Sequence, residues 1–284
     1  MSDILLHVAV GGLYAGLAVY FWRTRWRAPS PGAMRPREHL ALLVPLALHG
    51  WLLARALILP ESLHFGFGIA LSAMLWLGVL IYAVENLFLN LDGMQPLLLP
   101  LAALAAPLPV LFPGLSGVSA YAASPSFRVH VFVSVAAYSV FTIAILHALL
   151  MSLVERRLHG AFRPGDAAPD VGRPAMGPWA SLPPLLTLER MLFRLITIAF
   201  ALLTLSLASG VLFSETLFGR PMRFDHKTLF ALMSWMTFAA LLVGRRIYGW
   251  RGRTALRWTL AGFVLLLLAY VGSRFVLEVV LGRS

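Results

Sequence analysis

Long continuous apolar runs, separated by short arginine-rich or proline-rich loops, set the pattern of this chain. The runs are about 20 residues long and lack the period-2 alternation of a barrel strand, so each reads as a membrane-spanning helix. Eight are expected: Ile4–Trp22, Leu40–Leu59, Gly66–Phe88, Pro96–Pro113, His130–Val154, Met191–Phe213, Thr228–Val243 and Trp258–Leu277. The fourth carries Pro96, Pro100, Pro107, Pro109 and Pro113, residues that kink a helix or break it. The expected fold is all-α, a polytopic transmembrane helical bundle of about eight spans. It divides into a four-span half at 1–126 and a four-span half at 127–284. Residues 155–189, rich in Pro and Gly, read as a flexible cytoplasmic connector.

Composition agrees with that pattern. The 284 residues are 60% hydrophobic and 12% charged, where a soluble domain carries about 25% charged residues. The first run is too long for the core of a signal peptide and follows no basic segment, so it counts as a span. The net charge of +11 does not point to nucleic acid, because the basic residues crowd into short loops. Arg23, Arg25, Arg27, Arg35 and Arg37 follow span one, Arg156, Arg157, Arg163, Arg173 and Arg190 follow span five, and Arg245, Arg246, Arg251, Arg253 and Arg257 follow span seven. With alternating helices these loops share one side, the cytoplasmic side by the positive-inside rule. Both termini are then expected outside. A re-entrant fourth segment would set the arginine clusters on opposite sides, which favours a full crossing.

The candidate chemistry lies in histidine. The chain has no cysteine, which excludes thiolate catalysis, iron–sulfur clusters and thioether-bound haem. His130 opens span five and His226 precedes span seven, both at the non-cytoplasmic rim. Neutral imidazole is a common haem-iron ligand, so two on one rim suggest a haem site. Ser134 and Tyr138 follow His130 at i+4 and i+8 on its helix face. Arg220, Arg223 and Lys227 flank His226 and suit haem propionates or lipid phosphates, and Asp225 can accept the second imidazole N–H. Met222 and Met233 are possible soft ligands, and Trp235 belongs to an aromatic group near the same rim. His49, near the middle of span two, and His147, near the inner end of span five, form either a second site or hydrogen bonds to neighbouring helices. His147 stands seventeen positions after His130, about 25 Å along one helix, so these two cannot share an iron. His7, His39, His64 and His159 read as headgroup-level or solvated side chains. No G-x-S-x-G, H-E-x-x-H, phosphate loop or paired carboxylates occur, so no enzyme activity is expected.

The second half resembles the CcsA-like cytochrome c assembly family, and within it the YpjD/HemX-like branch. The resemblance rests on the stretch Phe224-Asp225-His226-Lys227-Thr228-Leu229-Phe230-Ala231-Leu232-Met233-Ser234-Trp235, on the small-Gly approach at Ser209-Gly210, and on His130, which matches the family's external haem-ligand histidine. It covers about Phe127 to Phe275. Phe224 and Phe230 stand where the family motif has tryptophans, His226 where it has proline, and Val243 where members carry a histidine. The resemblance implies a bacterial inner-membrane protein that handles haem. The expectation is a non-covalent haem b site with His130 and His226 as axial ligands, with membrane lipid and cytochrome maturation proteins as partners and no nucleic acid. A haem-free accessory protein and a small-molecule transporter are the rival readings.

Overall fold

The computed structural model describes residues 2–27, 34–57, 66–88, 91, 93–113, 124–161, 184–218, 226–272 and 275. Among them the order of helices is α1 (Ser2–Phe21, continued by a π-helical turn at Trp22–Trp26), α2 (Pro36–Leu57), α3 (Phe67–Phe88), α4 (Gln95–Ala105), α5 (Leu108–Leu111), α6 (Pro125–Ala161), α7 (Leu185–Phe218), α8 (His226–Ile247) and α9 (Gly252–Leu267, continued by a π-helical turn at Leu268–Gly272). No strand occurs among the described residues. The helices α1, α2, α3, α6, α7 and α8 are long and apolar enough to cross a membrane. The other two expected spans take altered forms. The eighth closes in its π-helical turn, and the fourth breaks at Ala106–Pro107 into α4 and α5.

Proline accounts for that break. Pro107 has no N–H to offer the Ala103 carbonyl, so the α4 ladder ends there. The Ala103 oxygen lies against Gly11 of α1, where a Cβ would stand only 3.0 Å away. The Ala106 carbonyl accepts a hydrogen bond from His7 Nδ1 at 2.7 Å. At the other end, Trp26 Nε1 donates to the Gly93 carbonyl at 3.2 Å. The fourth segment therefore runs antiparallel to α1 from one end to the other, as an apolar stretch, Gln95–Leu111, shorter than the six long helices. Phe67, at the start of α3, meets Phe112 and Phe275 with ring centroids 5.7 and 5.5 Å apart. This gathers the start of α3, the end of α5 and the segment after α9 at one end of the bundle.

The helices pack as two four-membered rings. In the first, α1, α2, α3 and α4 are neighbours in turn; in the second, α6, α7, α8 and α9 are. The two rings join where α3 packs on α6. There the Ser139 hydroxyl reaches the Met74 carbonyl at 3.0 Å. Lipid tails are as apolar as leucine, so close packing and interhelical hydrogen bonds, rather than escape from water, hold such helices together. Inside the second ring, Phe141 of α6 stacks on Phe238 of α8 at 4.0 Å between centroids. Gly262 of α9 lies against the same Phe238 ring, and its carbonyl accepts the Ser234 hydroxyl at 2.8 Å.

All the arginine-rich segments that the structure describes lie at the other end, where α1 and α8 finish and α2, α7 and α9 begin. Two acidic side chains are buried among them. Glu38 pairs with Arg25 at 2.7 Å and also accepts the Tyr20 hydroxyl and the Arg35 backbone N–H, each at 2.7 Å. Glu189 pairs with Arg245, whose guanidinium lies 4.4 Å from the centroid of the Phe193 ring, and stands 3.6 Å from Arg251. The connector is shorter than expected: α6 continues to Ala161 and α7 starts at Leu185, while 162–183 lie outside the described residues.

Candidate functional site

His130 sits five residues inside α6 rather than at its start, since the helix begins at Pro125. It is half-buried and faces α7. Its Nδ1 stands 2.8 Å from Ser209 Oγ, and its Cε1 would be 3.5 Å from a Cβ placed on Gly210. Ser209 donates to the Ser206 carbonyl at 2.9 Å, and Ser134 donates to the His130 carbonyl at 2.7 Å. Ser134 Oγ also lies 2.7 Å from Ser206 Oγ. Such local bonds let serine sit in an apolar helix with its hydroxyl satisfied. Among the described residues, His130 Nε2 has no hydrogen-bond partner.

His226 is the first residue of α8, and its side chain is exposed. Helix α7 gives a scale for its depth, because Trp235 of α8 donates to Thr204 Oγ1 of α7 at 2.9 Å. Ser209 lies five residues from Thr204 towards the outer end, and His226 nine residues from Trp235 in the same direction. At about 1.5 Å per residue, His226 stands roughly 6 Å, about one turn, beyond the level of His130. Both helices pack on α7, so the two imidazoles belong to one rim. Lys227, next in sequence, is half-buried. Arg220, Arg223 and Asp225 lie outside the described residues.

Tyr138 and Trp235 join helices here. The Tyr138 hydroxyl donates to the Leu266 carbonyl of α9 at 2.7 Å, which turns it away from the α7 face that His130 occupies. Trp235, besides its bond to Thr204, lies 5.4 Å from the Phe200 ring. Sequence reasoning missed Ser209 as the partner of His130 and Ser206 as the partner of Ser134. The available signal was a pair of hydroxyls at i and i+3 within an otherwise apolar run.

His49 and His147 sit at different depths. His49 Nε2 shares a hydrogen bond of 2.8 Å with Ser72 of α3, and its ring lies edge-on to Tyr14 at 5.8 Å. On α6, Ile143 packs beside Gly78 of α3, and His147 is one turn further along. His147 is therefore level with about Tyr82, ten residues or roughly 15 Å from Ser72. Its Nδ1 donates to the Ile143 carbonyl at 2.9 Å. His49 thus bonds a neighbouring helix, whereas the His147 bond stays within α6, and among the described residues His49 Nδ1 and His147 Nε2 are buried without a hydrogen-bond partner.

Among the described residues, no three His, Asp or Glu side chains converge on a metal position. An iron held by a porphyrin needs only axial ligands from the protein. A half-buried imidazole with one nitrogen anchored and the other without a partner among the described residues fits that requirement.

The whole architecture can be set beside known proteins. The chain is 32% identical over 161 residues to the inner membrane protein YpjD of Escherichia coli (strain K12), covering 56% of this chain and 54% of YpjD. It thus spans about half the length of that relative. It is 35% identical over 228 residues to an uncharacterized 28.8 kDa protein of Azospirillum brasilense, covering 75% of this chain and 76% of that one. It is 38% identical over 85 residues to the cytochrome c biogenesis protein CcsA of Prochlorococcus marinus (strain MIT 9303), covering 30% and 27% of the two chains. No solved structure matches. The Cytochrome C assembly protein family matches residues 39–281, from α2 to beyond α9, and the chain is a member of that family.

Proposed function

We propose that this protein is a multi-pass inner-membrane haem-handling protein that binds, delivers or exports haem in cytochrome c assembly. His130 carries the reading: its Nδ1 is anchored by Ser209, and among the described residues its Nε2 has no hydrogen-bond partner at the rim of the helical bundle. Its family membership supports the process. His226 would be the second iron ligand of a non-covalent haem b, and Arg220, Arg223 and Lys227 would supply the positive charge for its propionates. Held by two imidazoles, a haem would be suited to carriage rather than oxygen chemistry. The arginine-rich end faces the cytoplasm, and the His130 rim faces the opposite side with both chain termini. Haem, lipid and cytochrome maturation proteins are the partners.

A haem-free accessory role is favoured by one observation. Tyr138 and Trp235 are both engaged in helix-to-helix hydrogen bonds. The absorption spectrum of detergent-purified protein separates the two readings. A Soret band that is lost or shifted in both His130→Ala and His226→Ala is expected. Its absence from folded, haem-replete wild-type protein overturns the haem reading.

A further inference from the structure

We infer that Ser209 fixes His130 in the tautomer with its proton on Nδ1, so that Nε2 presents a bare lone pair at the rim. The assignment follows from counting protons. A hydroxyl carries one hydrogen, and a neutral imidazole carries one N–H. Ser209 Oγ lies 2.9 Å from the Ser206 carbonyl and 2.8 Å from His130 Nδ1, and with one hydroxyl hydrogen both contacts are hydrogen bonds at once only when that hydrogen goes to the carbonyl and Nδ1 donates. The 2.8 Å contact with Nδ1 is then closed by an imidazole proton on Nδ1, and Nε2 has none.

The neighbouring groups agree. The Ser134 hydrogen goes to the His130 carbonyl at 2.7 Å. With that hydrogen on the carbonyl, the Ser206 hydrogen closes the 2.7 Å contact between Ser134 and Ser206, in which either hydroxyl can donate. Every hydroxyl in the set is used once, and the Nε2 lone pair is the feature left over. Gly210 completes the arrangement, because a Cβ there would touch the ring Cε1 at 3.5 Å. Alanine fits at that distance, whereas a branched side chain turns the ring off Ser209.

Ser209 is thus a positioning residue. Histidines that bind metals are commonly held by a hydrogen bond at the other ring nitrogen, which fixes orientation and raises ligand basicity. What the free nitrogen is for rests on the haem reading; the tautomer does not.

The test uses full-length, haem-free protein with ¹⁵N-labelled histidine, the His130 signals being identified by their loss in His130→Gln. Wild type should show Nδ1 protonated and Nε2 unprotonated. Ser209→Ala should move His130 towards the Nε2–H form or a mixture, and Ser209→Thr, which keeps the hydroxyl, should restore the wild-type pattern. In haem-loaded protein, Ser209→Ala should weaken haem binding about 10- to 100-fold. A wild-type His130 protonated on Nε2, or a tautomer unchanged in Ser209→Ala, overturns the inference. If wild-type protein takes up no haem, the functional proposal fails, while the nitrogen signals of the haem-free protein still decide the tautomer.

Discussion

Arg25 and Glu38 meet at 2.7 Å with side chains only 7% and 5% exposed, on segments thirteen residues apart. One is at the end of the first crossing and the other at the start of the second, so the pair clasps the α1–α2 connection. A buried pair is costly to break, since one charge remains without compensation, typically about 3–5 kcal/mol. Glu38→Ala should therefore lower the thermal midpoint in nanodiscs sharply. The double replacement Arg25→Met, Glu38→Met should recover most of the loss. A mild effect of Glu38→Ala alone would show that the clasp is not needed.

Gly68, one residue into α3, faces the backbone of the broken fourth segment. A Cβ there would collide with the Leu108 carbonyl and stand 2.6 Å from the Phe112 oxygen. Carbonyls in a packed turn cannot swing aside as a side chain can. Gly68→Ala should reduce the yield of folded protein on size-exclusion chromatography. Gly12→Ala, where nothing lies within 4 Å, should behave as wild type. Equal behaviour of the two variants would contradict the close approach of α3 to α5.

Two hydroxyls in the first ring should respond with opposite signs. Tyr14 is fully buried and its hydroxyl has no partner among the described residues, so Tyr14→Phe should be neutral or stabilising, by up to about 1–3 kcal/mol. Ser72 is the partner of His49, whose Nδ1 already lacks one among the described residues. Ser72→Ala leaves the imidazole without any hydrogen bond and should destabilise. Thermal melts of the two variants, run together, check the pair; a loss in Tyr14→Phe would mean that its hydroxyl is satisfied.

Because the chain has no native cysteine, single-cysteine variants report orientation without background. Cysteine at Arg27 or Arg253, both exposed at the arginine-rich end, should resist a membrane-impermeant thiol reagent applied to intact cells. Cysteine at Pro113 or His226, exposed at the other end, should react. The reverse pattern would invert the proposed topology.

The crossings are legible in the sequence because each is a run of apolar side chains, and lipid imposes that pattern residue by residue. The break in the fourth segment is legible too, from its prolines. Pro107 does what its missing N–H dictates. The partners of the polar groups are not legible in this way. Ser209 reaches His130 across 79 positions, and Ser72 reaches His49 across 23. A single serine in an apolar run reads alike whether it meets a ligand, a backbone carbonyl or nothing. Tyr138 shows the limit of face arguments: eight residues from His130 places it nearly, but not fully, in line, and that offset sends its hydroxyl to α9.

The hydrogen bond from His7 to Ala106 spans 99 positions of chain, and this bears on the order of biogenesis. Helix α1 carries an imidazole whose acceptor is made only after α2 and α3 have been synthesised. Until α4 emerges, the His7 N–H must be satisfied by headgroups or by the insertion machinery. Helix α1 is thus completed by the fourth segment, and a nascent chain cut before Ala106 leaves α1 without its partner.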